Sequence, residues 1–140
     1  SDVKTLDDYE EGTATIAFTA GSGTMTKHDT RDVISYTKIG QTVHIQGQLN
    51  ITSVSGNSGA MAITGLPFAQ LGTDELSDYA AISIWFSGTD DVTAQSFVGV
   101  IRTGEDEIKV YFFNGTNADN AAGYMNANTD VYIGGTYTAA

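Results

Sequence analysis

Between residues 42 and 52, Val43, Ile45, Leu49 and Ile51 share one parity, while Thr42, His44, Gln46, Gln48 and Asn50 share the other. Successive side chains of an extended segment point to opposite faces, so this alternation predicts a half-buried strand. Gly47 falls on the apolar parity, where a missing side chain signals a bulge or a close neighbour. The pattern returns in Ala80, Ile82, Ile84 and Phe86 against Tyr79, Ala81, Ser83 and Trp85, and in Ile108, Val110 and Phe112 against Lys109, Tyr111 and Phe113. Further strands are predicted over residues 13–19, 35–39, 60–64, 96–102 and 130–138. Gly40-Gln41 lies between two of these segments, which predicts a tight hairpin turn that uses the glycine's access to positive φ.

Eight or nine strands are therefore expected, separated by Gly, Ser, Thr, Asn and Asp clusters at 53–59, 87–91, 103–106 and 114–128. Spacing of this kind predicts an all-β fold, an antiparallel β-sandwich of jelly-roll type. Residues 70–78 offer at most a single helical turn, with Thr73 three positions before Leu76. Residues 1–11 are polar and acidic and read as an N-terminal strap from an upstream stem, leaving 12–140 as a single β-sandwich domain. The start on Ser1, without an initiator methionine, is read as the mark of a piece of something longer.

Composition narrows the function classes. The 140 residues are 41% hydrophobic and 16% charged, so the chain is expected to fold around one core. Seventeen acidic residues against 6 basic ones give a net charge of −11, a field that repels nucleic acid and anionic lipid. The apolar stretches, such as 80–86, fall short of the roughly 20 residues of a membrane helix, so membrane insertion is not expected. No cysteine is present to make a disulfide, a thiolate metal site or a thiol nucleophile.

Catalytic patterns are weak. His28 near Asp29 and Asp32, and His44 between Thr42 and Gln46, are the two imidazoles, and neither serine-containing glycine cluster, at 21–23 or 56–59, follows a nucleophile-elbow pattern. Adjacent carboxylates such as Glu10-Glu11 and Asp90-Asp91 do not by themselves set the separation a glycosidase needs, and none follows an EF-hand spacing. A binding protein, not an enzyme, is expected, with no cofactor and no metal.

Three strings carry a resemblance: Leu6-Asp7-Asp8-Tyr9-Glu10-Glu11-Gly12-Thr13, Ser35-Tyr36-Thr37-Lys38-Ile39-Gly40 and Ile63-Thr64-Gly65-Leu66-Pro67-Phe68. In this order and spacing the chain resembles the β-rich C-terminal domain of phage tail fibres and tailspikes. Relatives usually continue the first string with Trp-Thr-Pro, whereas this chain has Ala14-Thr15-Ile16, leaving Trp85 as the sole indole. The resemblance implies a β-sandwich module at the tip of a trimeric virion fibre that binds the host surface, with structural capping of the trimer or release after assembly as alternatives.

The residues themselves suggest where a receptor could sit. Trp85, Tyr111, Phe113 and Tyr132 lie opposite their strands' aliphatic sets, and a solvated face does not ordinarily carry so many large aromatics. Burial within one sandwich, a subunit interface and a sugar platform all account for them. For a host-surface glycan, Trp85, Tyr111, Tyr124 and Tyr132 would supply planes for the C–H faces of sugar rings, and loop asparagines such as Asn114 and Asn117 would supply the polar rim.

Overall fold

A computed structural model describes residues 8–72, 79–90, 96–113 and 118–140. Among the described residues nine strands follow one another: β1 (Tyr9–Thr15), β2 (Ala17–Lys27), β3 (Val33–Ile39), β4 (Thr42–Thr64), β5 (Tyr79–Ser87), β6 (Ser96–Arg102), β7 (Glu107–Phe113), β8 (Ala118–Asn120) and β9 (Thr129–Thr138). A 3-10 turn, η1 (Ala122–Tyr124), precedes β9. All strand pairs are antiparallel.

The architecture turns on β4. Its first half, Thr42 to Ile51, pairs with β9, and its last residues, Met61 to Thr64, pair with β7. Because β9 pairs with β5, β5 with β6 and β6 with β7, the strands β4, β9, β5, β6 and β7 close into a ring. The fold is thus an all-β antiparallel barrel and not the expected jelly-roll sandwich. β3 and β2 lie along the other edge of β4, and β1 extends the sheet beyond β3.

Closure into a barrel has a physical cause. Residues 53–59 of β4 were expected to form a loop because Ser, Gly and Asn dominate them, yet β2 pairs with β4 from Ile51 to Thr64 and holds them extended. Both faces of this ribbon are mostly exposed, so no alternation marks it. Register shifts interrupt the pairing after Ala20, Ser22 and Thr26, and irregularities of this kind bend and twist a ribbon. Gly23, Gly56 and Gly59 take positive φ (74°, 59° and 81°) within the irregular stretch. The bend carries β4 from β9 at one end to β7 at the other.

β1 includes Tyr9 to Glu11, paired with Ile39 to Thr37, so the end of the expected strap belongs to the sheet. The Gly40 hairpin is present, with φ 60° at Gly40. Gln70, at the start of the expected helical turn, bridges Ala139 instead, and residues 73–78 of that turn lie outside the described residues.

The barrel interior follows the alternation. Val43, Ile45, Leu49, Ile51, Met61 and Ile63 of β4 are buried with Ile82, Ile101, Ile108, Val110, Val131 and Ile133. Each such side chain contributes roughly 1.5–3 kcal/mol by leaving water. Gly47 has its predicted close neighbour, since a Cβ there would lie 2.7 Å from the Ile34 side chain. Phe86, Phe97, Phe112 and Tyr124 close one end, with Phe112 and Tyr124 stacked at 4.1 Å. The Asn57 amide fastens the ribbon over this end by donating to the carbonyls of Ala122 (2.6 Å) and Met125 (3.1 Å). At the other end Leu66 and Gln70 donate backbone bonds to Asp106 and Glu105, and the Tyr137 hydroxyl donates to the Phe68 carbonyl at 2.8 Å.

Two outcomes test this packing. Gly40 and Gly23 both have positive φ, but a Cβ at Gly40 meets none of the described residues within 4 Å, whereas one at Gly23 would lie 2.3 Å from the Gly56 backbone. Gly40→Ala is expected to cost about 1 kcal/mol and Gly23→Ala about 3 kcal/mol or more in urea unfolding. Burial also pushes the Tyr137 hydroxyl up to about 12 from 10.0. The unfolded chain therefore ionises first, so this contribution to stability is complete below pH 10 and is lost as the pH rises through 12. The urea midpoint is expected to fall over that window, and to fall less in Tyr137→Phe.

Candidate functional site

Ring closure directs one parity inward and the other to solvent. The outward set forms rows across adjacent strands: Ile39, Thr42 and Thr138; Thr37, His44 and Thr136; Ser35, Gln46, Gly134 and Ser83; then Gln48, Tyr132 and Trp85. These four rows contain no carboxylate, ammonium or guanidinium, although the chain carries a net charge of −11. Charge returns at the margins, with Glu11 opposite Thr37 and Asp130 in the next row opposite Asn50 and Ser87. Asp130 there accepts from the Asn50 amide at 2.8 Å and faces Arg31 at 3.7 Å.

At one end of this face Trp85 and Tyr132 stack with ring centroids 4.7 Å apart and planes inclined by 23°. Trp85 is 62% exposed, so its outer surface is available to solvent. Beside the pair lies an open groove of about 550 Å³, lined by Thr13, Val33, Ser35, Gln46, Gln48 and Tyr132. The pair offers apolar plane and the groove offers amides and hydroxyls that can each donate and accept.

The other expected contact residues are distributed differently. Tyr111 faces outward on β7 opposite Val98, separated from Trp85 by β6, and its hydroxyl accepts a bond from the Arg102 guanidinium. That guanidinium also lies 6.0 Å from the Tyr79 ring centroid and 5.7 Å from that of Tyr111, so Tyr111 belongs to a local cation–π cluster. Tyr124 packs into the aromatic plug at the barrel end, stacked on Phe112. Asn114 and Asn117 lie outside the described residues. The expected long loop at 114–128 contains β8 and η1, and Asn126 in it donates to the Asp90 carboxylate at 2.9 Å.

The structure thus brings Trp85 and Tyr132 together and adds Gln46, Gln48, Ser35 and Thr13 beside them. These four lie on the polar parity of β1, β3 and β4, and alternation alone marks them as solvent-facing without setting them next to Tyr132. The imidazoles have local partners: His28 Nδ1 accepts from the backbone amides of Thr30 (3.1 Å) and Arg31 (3.3 Å), and His44 Nδ1 lies 3.3 Å from the Thr136 hydroxyl. Among the described residues, no three His, Cys, Asp or Glu side chains gather as a metal site would require.

The sequence matches no protein-family model and no curated protein. The fold is similar to part of a solved structure, the Dettilon tailspike protein (gp208), with a TM-score of 0.80 and 17% sequence identity. The similarity covers 93% of this chain and 24% of the tailspike chain, so this barrel corresponds to about a quarter of that longer protein. At this identity the likeness is one of fold.

Proposed function

We propose that this chain is a module of a phage tail fibre or tailspike, located at the tip, that attaches the virion to a host-surface polysaccharide. The observation that carries the reading is the exposed Trp85–Tyr132 stack set beside a groove of uncharged amides and hydroxyls. Sugar rings present apolar C–H faces and rings of hydroxyls, and this surface has a counterpart for each. The similarity in fold to a tailspike over 93% of the chain supports the same reading.

A second reading, a homotrimer cap without ligand, draws on a different observation. Tyr9, Val33 and Ile39 are 47%, 40% and 48% exposed along β1 and β3, and exposed apolar side chains are what a subunit interface covers, although Glu10 and Glu11 stand on the same edge. Val33 also lines the groove, so the two readings are compatible only if a trimer formed through this edge leaves both Trp85 and the groove open.

The test is retention of the purified chain on host-envelope polysaccharide, with light scattering for its assembly state. Retention is expected, and Trp85→Ala with Tyr132→Ala is expected to weaken it by about tenfold or more while assembly is unchanged. Undiminished retention by the double variant would move the site elsewhere. A trimer that retains no polysaccharide would leave the capping function.

A further inference from the structure

Gly134 stands at the middle of the charge-free face, in register with Gln46 on one side and Ser83 on the other. Nothing among the described residues requires a glycine there. It is absent from the positive-φ glycines, and a Cβ built on it would meet no atom of the described residues within 4 Å. Its neighbour Gly135 differs, because a Cβ there would lie 2.9 Å from Ile82 inside the barrel. The missing side chain at 134 leaves open space above the backbone, a depression relative to the side chains of Gln46 and Ser83, whose strands lie two spacings apart, about 10 Å.

The depression has an aromatic wall and polar sides. Tyr132 lies two residues before Gly134 on the same face, with Trp85 stacked against it. Gln46 and Ser83 flank the floor, and Thr136 lies two residues beyond it. Amide and hydroxyl groups can donate and accept, as a ring of sugar hydroxyls requires.

The charge distribution selects among glycans. No lysine or arginine stands on the four rows to hold a uronate, sialate, sulfate or phosphate, and Glu11 and Asp130 border them. Arg31, near this margin, already faces Asp130 at 3.7 Å. A polyanion would leave water for a face that offers no compensating charge, within a molecule of net charge −11. An apolar peptide would fit poorly on a floor ringed by Gln, Ser and Thr.

We infer that the gap over Gly134 is a subsite for one pyranose ring of a neutral polysaccharide, seated against Tyr132 and Trp85 and hydrogen-bonded by Gln46 and Ser83. The inference rests on the glycan-binding reading and specifies its ligand class and its seat.

The test uses Trp85, the one indole in the sequence, as a fluorescent reporter. Neutral gluco-, galacto- and manno-oligosaccharides are titrated against polyuronate oligomers of matched length, into the native chain, Gly134→Ala and Gly134→Val. A neutral oligomer is expected to shift the emission and the polyuronates are not. Gly134→Val, with its side chain in the depression, is expected to keep the native melting temperature and to bind at least about tenfold more weakly, with Gly134→Ala between the two. Polyuronate binding equal to or tighter than neutral binding would overturn the ligand class and leave glycan binding intact. Unchanged neutral binding in a folded Gly134→Val would overturn the subsite alone. Absence of binding by every oligomer, with the chain self-associating through this face, would overturn the subsite and the glycan reading together.

Discussion

The rest of the molecule depends on one strand making two sets of partners. β4 hydrogen-bonds β9 along its first half and β7 along its last four paired residues, and only a bent strand can reach both. The bend lies where β2 and β4 pair irregularly, among glycines whose backbone takes conformations that other residues resist. Closure follows, and with it a sealed interior of branched aliphatic side chains and no free edge within the ring. The two ends are closed by unlike means, an aromatic plug at η1 and the 66–71 segment held to the β6–β7 turn and β9.

The outer face inherits its character from the same closure. Once one parity is committed to the interior, the opposite parity of β3, β4, β9 and β5 must form a continuous surface, whatever it contains. In this chain it contains hydroxyls, amides, one stacked aromatic pair and a glycine gap, with the carboxylates kept to its borders. Backbone ladders beneath fix the spacing of these groups, so a ligand would meet them already arranged, which lowers the ordering cost of binding.

Much of the secondary structure was legible because half-burial writes itself into the sequence as alternation. The segments 42–52, 80–86 and 108–113 all lie in ring strands whose buried and exposed faces differ sharply. The 53–59 segment was not legible, since a ribbon exposed on both faces has no apolar parity, and its Ser, Gly and Asn suit a loop equally well. Missing that pairing turned a barrel into an expected sandwich, because closure is visible only if β4 is continuous. For the site, parity sufficed to put Trp85 and Tyr132 outward. Their contact arises from register between β5 and β9, and the proximity of Gln46 and Gln48 from register between β4 and β9, strands far apart in sequence whose alignment no local pattern encodes. The packing of Tyr124 on Phe112 was not legible for the complementary reason: in a short turn without periodicity, an aromatic packed against the core and a fully exposed one look alike.

Residue-resolved hydrogen exchange across a denaturant series measures closure most directly. If β4 joins the ring at both ends, the ladder amides of 61–64 and 107–110 must open only with the global transition, together with those of 42–51 and 129–138. Exchange of the β4–β7 amides through a separate, low-energy opening, while the β4–β9 ladder stays protected, would mean an open sheet and would contradict the barrel.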